Sequence, residues 1–167
     1  MKRLLLLTAA ALMTGTGHAA EITRFKAPGT APALILQGVS VPAGADTLYL
    51  SGQLAAPIDP AKPASTLTMA DYGDTKTQTV STLTKIKTIL ASRGYAMSDI
   101  IKMTVFVAGD PALGGKMDFA GMNDGFKMFF GTAENPNTVA RSTIQVAALA
   151  GPNFLVEIEV TAAKMPR

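Results

Sequence analysis

The spacing of apolar residues along this chain switches between the two-residue period of a strand and the longer period of a helix. Residues 47–51 alternate polar with apolar side chains, as a half-buried strand does. Val80, Leu83, Ile86 and Leu90 recur instead at the spacing of one helix face. A chain that contains both periods must combine a sheet with helices packed on it.

Applied to the whole chain, the two periods predict an ordered series of elements. The predicted strands cover 34–41, 46–52, 99–107, 141–148 and 153–162, and a shorter strand near 22–25 is left open. The predicted helices run from about Val80 to Gly94, where glycine tolerates the backbone of a helix end, and over 118–130. The order ββαβαββ indicates an α+β fold, with a single mixed β-sheet that carries two helices on one face.

The first residues have the pattern of a secretory signal peptide. Lys2 and Arg3 precede an apolar run over 4–13, and Ala19 offers a small residue for cleavage. We expect residues 1–19 to be removed, which leaves 20–167 as a single domain in the periplasm, with release from the cell as the open alternative. An uncleaved anchor is disfavoured because a membrane span needs about 20 apolar residues.

The residue inventory after cleavage excludes several kinds of chemistry. The chain has no cysteine, and its one histidine, His18, leaves with the signal peptide. This excludes Cys–His and Ser–His–Asp catalysis, disulfides and the usual zinc sites, so we expect no metal. Without Lys2 and Arg3, 13 basic residues face 12 acidic ones, and a near-neutral chain is a poor nucleic-acid binder. We expect neither a nucleic-acid partner nor, after cleavage, a membrane.

The last two predicted strands each have one apolar and one more polar face. Val156, Ile158 and Val160 alternate with Glu157 and Glu159, and we expect the apolar side to lie under the helices.

In the preceding strand, Ser142, Ile144, Val146 and Ala148 form the more apolar face. The uncovered side would then present Arg141, Thr143 and Gln145 together with Leu155, Glu157 and Glu159.

Two interpretations of this uncovered face remain open from the pattern alone. One is a solvated face with a weak ion pair, and the other is a subunit interface with polar pockets. In the second, an arginine could hold a carboxylate and a glutamate could place water.

Several short segments, in their order and spacing, resemble the Rid (YjgF-type) family of enamine and imine deaminases. They are Gln37-Gly38-Val39, Ser51-Gly52-Gln53, the strand 99–107, Asn123 with Phe129-Phe130, Ala140-Arg141-Ser142-Thr143 and Val156-Glu157-Ile158-Glu159. The resemblance covers residues 30–163, and it implies the chorismate-mutase-like fold of that family, assembled as a homotrimer with active sites in clefts between subunits.

The resemblance also implies an activity and a set of roles. The activity is of the 2-iminobutanoate/2-iminopropanoate deaminase type: hydrolysis of 2-aminoacrylate and other 2-imino acids to 2-keto acids and ammonia, without a cofactor. Arg141 would grip the substrate carboxylate, Thr143 would bond substrate or water, and Glu157 would orient the attacking water. Gly52 and Asn123 fall at further substrate-binding positions.

The chain departs from the family pattern at a few places. Ile35, also at a substrate-binding position, stands where catalytic members usually have tyrosine; Val139 replaces the usual proline before Ala-Arg-Ser; and the segment after Gly109 is longer. The alternative prediction is therefore a non-catalytic trimer of the same fold that binds a small ligand.

Overall fold

The computed structural model of the protein describes residues 20–29 and 33–166. The predicted signal peptide, 1–19, lies outside this part of the chain. Within the described residues, no helix combines the length and the apolar character needed to cross a membrane.

The described chain contains the predicted elements in the predicted order, preceded by the short strand near 22–25. The elements are β1 (Thr23–Lys26), β2 (Leu36–Ser40), β3 (Asp46–Leu54), α1 (Thr75–Ser92), β4 (Ile100–Ala108), α2 (Phe119–Phe126), β5 (Ala140–Val146) and β6 (Val156–Lys164). Short 3-10 turns at Ala64–Thr66, Met69–Asp71, Met97–Asp99 and Pro111–Leu113 lie in the connections. The predicted α+β fold class is confirmed.

The strands form one mixed sheet in the order β1-β2-β5-β4-β6-β3. β5 runs parallel to β4 and to β2, and the remaining neighbours are antiparallel. Parallel neighbours need a crossover connection, and α2 lies in the crossover from β4 to β5. β2 meets β5 only where Leu36 pairs with Ala140, so most of that edge of β5 has no strand partner within the described chain.

Both α-helices pack on the same face of the sheet. Their apolar side chains share one core with the inward residues of β4 and β6, which explains why the two periods coexist in the chain. From the helices the core contains Leu83, Ile86, Leu90, Met122 and Phe126, and from the two strands it contains Met103, Val105, Val107, Ile158 and Val160.

The second helix ends earlier than predicted. It stops at Phe126 rather than Phe130, although the Phe130 ring still stacks on Phe126 with its centroid 4.5 Å away. Asn135 donates its side-chain amide to the carbonyl of Phe129 at 2.8 Å, which occupies the acceptor that another helical turn would use. Gly131 then turns the chain with φ +71°.

Gln78 of α1 ties the helix to the segment that enters β6. It is fully buried and donates to the carbonyls of Gly73 (3.2 Å) and Asn153 (3.1 Å), while its side-chain oxygen accepts from the Leu155 amide at 2.9 Å. The prediction that Leu155 lies on the uncovered face is wrong, because it precedes β6 and is buried at this junction.

Replacing Gln78 should therefore destabilise the fold. Gln78→Ala leaves several buried backbone groups without partners and creates a cavity, and we expect a loss of about 3 kcal/mol in the free energy of unfolding. Urea denaturation measures this loss, with Thr84→Ala on the exposed side of α1 as the matched control. Equal stability of the two variants would contradict the structural role of Gln78.

Candidate functional site

Arg141 and Thr143 lie on the helix-covered face of β5. In the parallel register Arg141 pairs with Met103 and Thr143 pairs with Val105, and paired residues share a face. Met103 and Val105 are core residues beneath the helices. The predicted arrangement of the faces is therefore wrong for β5.

The other residues of β5 follow from the same register. Gln145 pairs with buried Val107 and so joins Arg141 and Thr143 on the helix side, whereas Ile144 pairs with Phe106 and points away from the helices. Ile144 is 47% exposed, so the more apolar face of this strand is the uncovered one. Parallel pairing with β4, rather than the apolar pattern of β5, decides the orientation.

The guanidinium of Arg141 packs against α2. It donates to the side-chain oxygen of Asn123 at 2.6 Å, one of its nitrogens lies 3.7 Å from the sulfur of Met122, and its central carbon lies 4.4 Å from the ring centroid of Phe126. The ring face attracts the cation and the amide accepts one N–H group. Asn123 and Phe126 thus fix the orientation of Arg141 from one side.

No carboxylate among residues 20–29 and 33–166 forms an ion pair with Arg141. Burial lowers the pKa of Arg141 to about 10, a value at which the guanidinium still carries its charge at neutral pH. A guanidinium has five N–H donors, and one neutral amide leaves several of them for a ligand. The arrangement suits a small carboxylate, which accepts two parallel bonds from arginine.

Thr143 adds a hydroxyl next to this cation. Alternate residues of a strand are about 6.6 Å apart, so Thr143 lies one step along the same face. Its hydroxyl is buried and has no hydrogen-bond partner among the described residues. A ligand bound at Arg141 and extending along β5 could bond this hydroxyl.

Glu157 lies on the opposite face of the sheet from Arg141. It pairs with Phe106, whose side chain points away from the helices with Ile144. The carboxylate lies over Gly52, where a Cβ atom would overlap Glu157 Oε1. A side chain at position 52 would therefore displace the Glu157 carboxylate from this position. One protomer alone does not bring Glu157 to Arg141, because the two residues lie on opposite faces of the sheet.

The remaining predicted site residue, Ile35, lies at the entry to β2. It directly precedes Leu36, whose amide donates to the carbonyl of Val139 at 2.9 Å and which pairs with Ala140. Ile35 is half-buried and lies near the start of β5 in space, because its neighbour Leu36 pairs with Ala140.

The predicted residues thus fall into two groups. Arg141, Thr143 and Asn123 lie between β5 and α2, near Ile35, whereas Glu157 and Gly52 lie on the outer face. Sequence reasoning missed the contact of Phe126 with Arg141, although Phe126 lies within the predicted helix over 118–130. Within the described chain, no group of three histidine, aspartate or glutamate side chains could hold a metal ion.

The chain matches a known family and several named relatives. A family model described as endoribonuclease L-PSP matches residues 31–164. The 2-iminobutanoate/2-iminopropanoate deaminase of Salmonella typhimurium is 34% identical over 137 residues, which cover 80% of this chain and 92% of that protein. A RutC family protein of Pyrococcus horikoshii is 37% identical over 117 residues, which cover 70% of this chain and 79% of that protein.

Solved structures share the fold. The Rid family protein YyfB of Yersinia pestis superposes with a TM-score of 0.63 at 25% identity, covering 86% of this chain and 98% of its own. The structure of Escherichia coli TdcF with bound serine gives a TM-score of 0.53 at 32% identity, covering 87% of this chain and 99% of its own.

The geometry predicts that a carboxylate next to Arg141 would compete with an external ligand. Asn123→Asp places a negative charge at the acceptor 2.6 Å from the guanidinium, and we expect pyruvate to bind at least about tenfold more weakly with the fold retained. Calorimetric titration measures the affinity. Asp124→Asn, at the exposed neighbouring position, is the matched control, and unchanged affinity in Asn123→Asp would argue against Arg141 as the anion site.

Proposed function

Because the chain belongs to the Rid (YjgF/RutC) family, we propose that it hydrolyses reactive 2-imino acids to 2-keto acids and ammonia. The observation that carries the proposal is a half-buried arginine held by a neutral amide and an aromatic ring, with no carboxylate paired to it in the described chain. The resemblance to a named 2-iminobutanoate/2-iminopropanoate deaminase over most of both chains supports the substrate class.

The reaction needs few groups because the substrate is already electrophilic. Arg141 holds the carboxylate of the 2-imino acid and so fixes its C=N carbon relative to Thr143. Water adds to that carbon, one of its protons passes to the imine nitrogen, and a tetrahedral amino alcohol forms. A second proton transfer to nitrogen breaks the C–N bond, and ammonia leaves as the hydroxyl becomes the keto group. An enamine such as 2-aminoacrylate enters the same route after its tautomerisation to the imine.

We assign the proton transfers to Glu157, supplied by a second copy of the chain. A carboxylate can take a proton from water and return it to the leaving nitrogen. Arg141 and Glu157 occupy opposite faces of one sheet, so a single protomer cannot apply both to one substrate. A homotrimer that packs the outer face of one copy against the open edge of β5 in the next would join them. The outward side chains Phe106 and Ile144 support burial of that face.

A ligand-binding trimer without catalysis is the second candidate. Ile35 in place of the family tyrosine favours it, because isoleucine offers no group for proton transfer or hydrogen bonding. The ligand would be a small molecule that carries a carboxylate, bound at Arg141 without a cofactor. In either case we propose that the mature protein acts in the periplasm, on the basis of the pattern over residues 1–19.

The proposal predicts turnover that depends on Arg141. We expect the mature protein to accelerate hydrolysis of 2-imino acids made in situ by an amino-acid oxidase, and Arg141→Ala to lose this activity by about a hundredfold or more. Ammonia release or loss of a semicarbazone signal measures the rate. Pyruvate binding without turnover by the wild type would favour the second candidate, and turnover retained in Arg141→Ala would overturn the assignment.

The shared site predicts complementation between two inactive variants. Arg141→Ala and Glu157→Ala, co-expressed with different tags and purified through both, should regain about one third of wild-type activity, because one interface in each mixed ring has both side chains. Each variant alone is the control. A mixed trimer without activity would place both residues in one protomer's site and contradict the assignment.

A further inference from the structure

Gln145 connects β5 to the loop that precedes α2. Its side-chain amide donates to the carbonyl of Gly115 at 2.9 Å, and its side-chain oxygen accepts from the amide of Met117 at 3.1 Å. One carboxamide thus binds two backbone groups of the loop. This contact joins residues about 30 positions apart in the chain.

The loop from Gly109 to Met117, named here the crossover loop, is closed by its own hydrogen bonds. Asp110 and Lys116 form an isolated bridge, and the Gly115 amide donates to the carbonyl of Asp110 at 2.9 Å. The Asp110 carboxylate accepts from the Ala112 amide at 2.8 Å. A Cβ atom at Gly109 would overlap the carbonyl of Gly115, so the two sides of the loop are in close contact. The two sides of the loop are therefore tied to each other.

The crossover loop leads directly into α2. Met117 is followed by Asp118, which caps the helix by accepting from the Gly121 amide at 2.8 Å. Asn123, the residue that holds Arg141, follows in the second turn of the helix. Gln145 therefore ties β5 to the loop just before α2, and Arg141 ties β5 to the middle of α2.

We propose that Gln145 is a positioning residue: it fixes the crossover loop on β5 and thereby sets how Asn123 orients Arg141. This inference rests on the proposed function of Arg141 as the carboxylate-binding residue. Thr143 lies between Arg141 and Gln145 on the same face of β5. α2 extends only from Phe119 to Phe126, so a displaced start moves the position of Asn123.

The alternative is that Gln145 only stabilises a surface loop. Its side chain is exposed, and water can replace both of its hydrogen bonds, so the global stability of the protein should change little on substitution. The orientation of Arg141 is more sensitive, because within the described chain the guanidinium donates only to side chains of α2, to Asn123 at 2.6 Å and to the sulfur of Met122 at 3.7 Å. The two roles therefore differ in whether the effect of a Gln145 substitution on ligand affinity requires Asn123.

The test is a double-mutant cycle on the affinity for pyruvate. Gln145→Met keeps the length of the side chain and removes both hydrogen bonds, and we expect about fivefold weaker binding in the otherwise wild-type chain. In an Asn123→Ala background the same substitution should have almost no effect, because the path from the loop to Arg141 is already broken. Calorimetry measures affinity, and circular dichroism verifies folding of every variant.

Leu113→Ala, at an exposed position of the same loop that makes no hydrogen bond to Gln145, is the matched control and should bind as the wild type does. In the enzyme assay, Gln145→Met should raise KM more than it lowers kcat. Wild-type affinity in Gln145→Met, or the same loss with and without Asn123, would overturn the positioning role while leaving the proposed function intact. Failure of the wild type itself to bind pyruvate or turn over any imine would remove the proposed function and this inference with it.

Discussion

The parallel register between β4 and β5 determines which face of the sheet carries Arg141. Because Arg141 pairs with Met103, its side chain must leave the sheet on the side of the helices. A shift of one residue would turn Arg141 outward and place Ile144 in the core. Parallel neighbours also require a crossover, and that crossover supplies α2 with Asn123 and Phe126. The same pairing therefore places both the cation and the residues that hold it.

Placing a cation in this position costs solvation free energy, as its lowered pKa shows. A carboxylate partner would offset the cost and would also occupy the donors that a ligand needs. The neutral oxygen of Asn123 and the ring of Phe126 stabilise the guanidinium without cancelling its charge. A charge that is oriented and not neutralised keeps its affinity for an anion, and this favours a ligand site over a purely structural arginine.

The fold could be predicted from the sequence to a large extent, and the site only in part. Periodicity located both helices and the strands because each pattern is local to its element. The prediction for the orientation of β5 was wrong because it assumed that the more apolar side, with Ile144 and Val146, faces the core. In this strand the outer face is the more apolar one, and Arg141 lies on the helix side. The early end of α2 depends on a local bond from Asn135 to the carbonyl of Phe129, which apolar periodicity does not report. The burial of Leu155 depends on Gln78, which lies in a segment distant in the chain. The resemblance named Arg141 and Glu157, but no pattern in one strand could show that the sheet separates them.

That separation has a consequence for how the site could work. In the proposed mechanism, a protomer by itself contains the binding half, in Arg141, Asn123 and Thr143, and holds Glu157 on the far side of the sheet. If copies assemble as proposed, the water-directing group reaches the substrate only in the assembled form, and the reactive half is absent from a free protomer. The apolar outward residues Phe106 and Ile144 then serve both assembly and catalysis, because burying them brings the second copy's Glu157 into place. A substitution on the outer face could therefore abolish turnover without touching any residue that contacts the substrate, while the affinity of Arg141 for a carboxylate remains.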